Sequence, residues 1–184
     1  MSPLGIASFL MIVLGAIEFW PESTAGIFLN PRNYPTGEVQ GAAAVQDLNN
    51  DGISDVATAN GDNVSIFLNN GNGTFALANT FSVGEGPTEI ASADLNGDGD
   101  ADLVVTDDMK SAYTILGNGD ATFAAAKRIT LDRDPVGIAI ADLNGDSILD
   151  LAIAMAPFVQ QWYFRPGAYS PAPLSSMILM ATKP

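Results

Sequence analysis

Through the middle of the chain, short apolar runs alternate with tight clusters of Gly, Asn and Asp. The runs are rich in Ile, Val, Ala and Thr and are bounded by turn-forming residues, the pattern of short β-strands. One stretch shows four in succession, expected at Glu89–Asp94, Leu103–Thr106, Ala112–Leu116 and Lys127–Leu131. Apolar positions here do not recur at the i, i+3, i+4, i+7 spacing of a helix, so the pattern predicts an all-β chain.

The pattern also repeats. Asp47-Leu-Asn-Asn-Asp-Gly-Ile-Ser-Asp55, Asp94-Leu-Asn-Gly-Asp-Gly-Asp-Ala-Asp102 and Asp142-Leu-Asn-Gly-Asp-Ser-Ile-Leu-Asp150 share one scheme and start 47 and 48 residues apart. An apolar run follows each of them. After the first two come Ser65-Ile-Phe-Leu-Asn-Asn-Gly-Asn-Gly-Thr-Phe75 and Thr114-Ile-Leu-Gly-Asn-Gly-Asp-Ala-Thr-Phe123, each a strand ending in a Gly/Asn turn. Tyr34, Phe81 or Ile129 stands thirteen residues before each loop. Four short antiparallel strands in a unit of this length predict the blades of a β-propeller. The small residues of Gly41–Ala44 and Glu89–Ala93 suit an innermost strand, where blades crowd toward an axis. Residues 26–165 hold about three such units, fewer than the four of the smallest closed ring, so an incomplete or open arc is expected. The first unit is truncated, with Ile27-Phe28-Leu29-Asn30 matching a third strand, and the last fades after Trp162-Tyr163-Phe164.

The two ends read differently. Residues 1–25 open with an uncharged, apolar stretch, Leu4–Ile17, followed by Ser23-Thr24-Ala25. Its length suits the apolar region of an export signal and falls short of the about 20 residues of a spanning helix. The n-region carries no Lys or Arg, so a buried strand or helix is the equal alternative. Residues 166–184 hold four of the eleven prolines and an apolar patch, Met177–Met180, and read as an irregular tail with a packing element.

Charge narrows the chemistry. Seven Lys and Arg stand against 21 Asp and Glu, a net charge of −14, which argues against nucleic acid and against a polybasic grip on anionic lipid. No membrane insertion is expected. Hydrophobic residues make up 47% of the chain, so the acid belongs to something folded rather than to a disordered tail. Asp outnumbers Glu 16 to 5, and Asp favours turns and oxygen-only cation sites. The absence of Cys and His excludes disulfides, Cys/His zinc sites, thiol nucleophiles and imidazole-based triads.

Ten of the 21 acids lie in the three repeated loops. Positions 1, 3 and 5 of a tight loop, Asp94, Asn96 and Asp98 in the second copy, can converge on one centre. Position 7 then offers its backbone carbonyl, and the Asp at position 9 closes the shell. Leu at position 2 pins the loop to the core beneath. An all-oxygen set with three carboxylates favours Ca²⁺ over Mg²⁺, and the lack of N or S ligands disfavours zinc and copper. A helix–loop–helix calcium site needs Glu at position 12, where this chain has Thr58, Val105 and Ile153. The plain alternative is a set of Asp/Asn turns that bind no metal. Position 6 is the sharp turn, Gly52 and Gly99 in the first two loops but Ser147 in the third. A non-Gly residue at positive φ costs about 1–2 kcal/mol, so the third site is expected to be the weakest.

With these loops, and with Phe-Leu-Asn-Asn-Gly-Asn-Gly-Thr-Phe after them, the chain resembles FG-GAP or VCBS-type repeats, the calcium-bearing blades of integrin-α-like propellers. Asn-Gly-Thr-Phe and the Gly-Pro-Thr that starts at Gly86 stand in for the motifs that name the family. The resemblance implies Ca²⁺ ligands at Asp47, Asn49, Asp51, Ile53 and Asp55; at Asp94, Asn96, Asp98, Asp100 and Asp102; and at Asp142, Asn144, Asp146, Ile148 and Asp150. Up to three Ca²⁺ ions are thus implied. It also implies an extracellular or cell-surface module whose ligand is a protein or a glycan. Rings of about seven blades are usual in the family, so the short arc is read as part of a longer protein, or as one that self-associates or caps its ends.

Three function classes remain. The first is a calcium-stabilised, non-catalytic binding or adhesion module. The second is the non-catalytic propeller part of a secreted enzyme such as a polysaccharide lyase or hydrolase. The third is a ligand-free scaffold. For catalysis by the chain itself the candidates are Glu38, Glu85, Asp107, Asp108 and Tyr113. The plain reading places each on a solvated turn, with no catalytic role.

Overall fold

The computed structural model describes residues 8–12, 32–37, 40–156 and 176–180. Thirteen strands and no helix occur among them. Strands β3 (Gln40–Gln46), β4 (Asp55–Asn60), β5 (Asn63–Asn69) and β6 (Phe75–Ser82) form one antiparallel four-stranded meander. Strands β7 (Pro87–Ala93), β8 (Asp102–Asp107), β9 (Ser111–Ile115) and β10 (Lys127–Thr130) form a second. Each of the four strands expected for this unit is present, within two residues at its ends. A third sheet joins β11 (Pro135–Ala141), β12 (Asp150–Met155) and β13 (Ser176–Met180), and a two-stranded one joins β1 (Ser8–Ile12) and β2 (Arg32–Gly37). The sheets are propeller-like blades in an open succession, not closed into a barrel.

The first strand of each blade lies innermost. β3 runs along β7, and β7 along β11. Gly41 shows why small residues belong there: a Cβ at this position would come within 2.8 Å of the Pro87 and Thr88 carbonyl oxygens.

The second strands of the first two blades, β4 and β8, are buried on both faces because both faces meet a neighbour. Leu103 and Val105 of β8 point back toward the first blade, where they join Ala57, Ala59, Val64 and Ile66. Val104, one residue out of phase, points forward to Leu151, Ile153 and Met155. In the first blade the same alternation sends Val56 and Phe67 the other way, against Phe75 and Tyr34. A strand's period of two thus stitches three layers together.

A short strand forms near each chain end. Ser8–Ile12, inside the segment set apart as a possible export signal, forms β1 against β2. Ser176–Met180, in the tail read as irregular, forms β13 against β12. An exposed edge presents unpaired N–H and C=O groups, and an apolar run of strand length satisfies them. Ile27–Asn30 and Trp162–Phe164 lie outside the described residues.

Candidate metal centres

The three acidic loops connect first to second strands at one end of the blades. Their backbone follows one plan. Position 6 is left-handed in all three, at Gly52 (φ 84°), Gly99 (φ 92°) and Ser147 (φ 68°). Position 4 is left-handed too, at Asn50 (φ 58°), Gly97 (φ 78°) and Gly145 (φ 81°). The second reversal was not anticipated from the sequence, although its Asn and Gly residues are the ones that tolerate it.

The side chains follow one plan as well. The position 1 carboxylate accepts the position 6 N–H: Asp47 from Gly52 (2.8 Å), Asp94 from Gly99 (3.0 Å) and Asp142 from Ser147 (2.9 Å). The position 3 amide oxygen accepts the position 5 N–H, at 3.2 Å for Asn49 and 2.9 Å for Asn96 and Asn144. The position 5 carboxylate accepts the position 7 N–H: Asp51 from Ile53, Asp98 from Asp100 and Asp146 from Ile148, at 2.8 to 2.9 Å. The backbone N–H groups of Ile53, Asp100 and Ile148 are thereby tied to the position 5 side chains.

Position 9 differs, being wholly buried in every loop, at Asp55, Asp102 and Asp150. Asp55 accepts the Leu48 N–H on one oxygen (3.0 Å) and the Asn69 N–H on the other (2.8 Å). Asp102 does the same with Leu95 (2.9 Å) and Gly117 (2.8 Å), and Asp150 accepts the Leu143 N–H (3.0 Å). The first two carboxylates thus tie the start of the loop to the end of the blade's third strand. Asn69 and Gly117 are partners that the sequence reading missed.

Electrostatics separates these groups. Burial pushes the Asp55 carboxyl above its ordinary value; the Asn69 and Leu48 N–H groups oppose this, and the charges of Asp51 and Asp47 add to it. Burial likewise raises Asp102, against the Gly117 and Leu95 N–H groups and with Asp98 and Asp94 adding to the rise. The carboxylates of positions 1, 5 and 9 therefore feel one another across the loop. At the rim the sign reverses. The Asp100 N–H and the Asn96 amide hold Asp98 low, and the Ser147 and Gly145 N–H groups hold Asp142 low.

Does this arrangement suit a hard cation? The donor set is all oxygen, with three carboxylates and one amide per loop, as Ca²⁺ requires. The backbone already curls around the positions in question. In their present orientation, however, the carboxylates are turned onto the loops' own N–H groups, and among the described residues no three acids are gathered tightly enough to hold a metal ion. A carboxylate oxygen has more than one lone pair, so an N–H contact does not use up its capacity to ligate. The residues fit the ion by chemistry, and the fit requires side-chain adjustment.

The loops are also linked to one another. The Asn50 amide donates to the Asp100 carboxylate (2.6 Å), joining position 4 of the first loop to position 7 of the second. The Ala121 N–H donates to the Leu48 carbonyl (2.8 Å). Leu48 is buried as a pin between the first two blades, and Leu95 is partly buried against the third. Leu143, in the same position of the last loop, is 50% exposed.

Of the other acids, Glu85 and Asp108 are exposed, as expected, and Glu38 lies outside the described residues. Asp107 and Tyr113 are not on a solvated turn. Asp107 is buried and accepts the Met109 and Ser111 N–H groups on one oxygen and the Tyr113 hydroxyl (2.9 Å) on the other. It caps the β8–β9 turn from within.

The FG-GAP-like repeat family matches the chain twice, over residues 47–105 and 94–153. Each match runs from the first Asp of one loop to the strand after the next, so the repeat seen in the structure is the repeat of the family. No curated protein matches the chain. Together the two matches cover more than half of the 184 residues, and the chain belongs to the FG-GAP-like repeat family.

Proposed function

We propose that this chain is a calcium-stabilised, non-catalytic binding module, displayed outside the cell, whose loops hold up to three Ca²⁺ ions and whose ligand is a protein or a glycan. One observation carries the calcium reading: the same frame of backbone turns, carboxylates and Asn amide recurs in three loops at the same positions. Turns need no more than one or two Asx residues, whereas the first two loops set three carboxylates where they repel one another. A divalent cation offsets that repulsion. Asp47, Asn49 and Asp51, with the Ile53 carbonyl and Asp55, would hold the first ion, and the corresponding residues the other two. The metal is structural in this reading, since it fastens the loop beneath which Leu48 or Leu95 is pinned. Family membership supports the extracellular setting and the ligand class.

Thermal unfolding across a Ca²⁺ titration, with mass measured in solution, tests the reading. A native state that binds Ca²⁺ gains about 2.7 kcal/mol at a hundredfold excess over Kd, and Mg²⁺ at the same concentration gives much less. A melting temperature that does not move with Ca²⁺ overturns the proposal.

A further inference from the structure

We propose that the cleft between β2 and the first blade, at the end opposite the acidic loops, is a binding site for a neutral sugar. Strand β4 alternates, so Val56, Thr58 and Asn60 share the face turned toward β2. Its first half is apolar, with Val56 against Phe67, Phe75 and Tyr34. Its second half is polar and nearly sealed: Thr58 is 2% exposed, and Asn60, Ser65 and Thr36 are each 4% exposed.

Buried polar groups are normally paired, and here the pairing is incomplete. The Asn60 Nδ2 donates to Ser65 Oγ (3.2 Å), and Ser65 Oγ shares a hydrogen bond with Thr80 Oγ1 (3.3 Å). Asn60 Oδ1 is buried with no partner, and so is Thr58 Oγ1. Turning the amide over merely exchanges an orphaned oxygen for an orphaned NH₂. Asn60 lines a cleft of ≈450 Å³ together with Pro35, Thr36, Asp62, Ser65, Leu77 and Thr80. That volume lies within the range of about 300–1,000 Å³ typical of small-molecule sites.

The lining selects the ligand. It contains no Lys or Arg, and exposed Asp62 at its edge repels anions. Its hydroxyls and amide both donate and accept, as sugar hydroxyls do. Leu77, 58% exposed, and Pro35 offer an apolar patch for the C–H face of a ring. Asn60 Oδ1 is sealed in its present orientation, and a sugar hydroxyl supplies the missing partner once the amide swings into the cleft. The inference narrows the ligand left open above and is independent of the calcium reading, because β4 separates cleft from loop.

The test is an NMR titration of the whole chain with glucose, galactose, mannose and N-acetylglucosamine, in Ca²⁺ and in EDTA. At least one of them at about 10 mM, ten times a 1 mM Kd, should shift the amide signals of Asn60, Asp62, Ser65 and Leu77. Asn60→Ala should weaken binding about tenfold, and Thr80→Val, an exposed position that leaves folding intact, several-fold. No shift with any of the four sugars overturns the inference, as does unaltered binding in Thr80→Val. A failure here leaves Ca²⁺-dependent melting untouched, so the two readings fail separately.

Discussion

At the scale of single residues, two side chains sit where their chemistry has a cost or a pH dependence. Ser147 holds φ at 68° where the other loops use glycine. Left-handed backbone costs a residue with a Cβ about 1–2 kcal/mol, so Ser147→Gly is expected to stabilise the chain by about 1 kcal/mol, part of the gain being offset by the freer unfolded state. Calorimetry should then show the weakest of three Ca²⁺ affinities rising toward the other two. An unchanged third affinity would mean that the turn does not limit binding. Tyr113 is buried, and burial together with its hydrogen bond to Asp107 raises its pKa above 10.0. The folded state therefore holds this proton more tightly than the unfolded one. The associated stability is complete below pH 10 and is lost as pH rises through the folded value. Tyr113→Phe should lower stability near neutrality by about 1–3 kcal/mol, because a buried Asp107 oxygen loses its donor. It should also flatten the further loss seen by thermal melting above about pH 10.

At the scale of elements, the strut formed by position 9 is separable from its role as a metal ligand. Asp102 holds the Leu95 and Gly117 N–H groups whether or not an ion is present. Asp102→Ala is expected to destabilise the second blade by about 1–3 kcal/mol for each N–H left unpaired, measured by urea unfolding in EDTA. A loss seen only with Ca²⁺ present would make this carboxylate purely a ligand. Much of this blade was legible in the sequence, because strand alternation, turn residues and the 47-residue spacing are local signals. The four strands of the second unit fall where the alternation placed them. The anchors at Asn69 and Gly117 were not legible, since each joins residues about 14 or 15 apart through backbone atoms that leave no mark in residue type. The same holds for Asn50 and Asp100, 50 residues apart, and for β1 and β13, whose partners are decided by which edges stand open.

At the scale of the molecule, neighbouring blades share their core side chains, as in other repeat architectures. The loop leucines report this directly, because one residue type at one loop position meets three surroundings. Leu48 is 3% exposed between the first two blades, Leu95 is partly buried against the third, and Leu143 is 50% exposed. Local sequence around the three is nearly identical, so intrinsic propensity predicts equal effects on truncation. Stacking predicts unequal ones. Leu48→Ala should cost about 2–5 kcal/mol, as for a buried leucine leaving a cavity. Leu95→Ala should cost less, and Leu143→Ala no more than about 0.5 kcal/mol, as for a surface position. Urea unfolding of the three variants side by side measures the gradient. Equal losses would show that the leucines act within their own loops and that the blades stand independently. The expected order, Leu48 above Leu95 above Leu143, would place the stability of the fold in its inter-blade interfaces, whose number grows only by adding a neighbour.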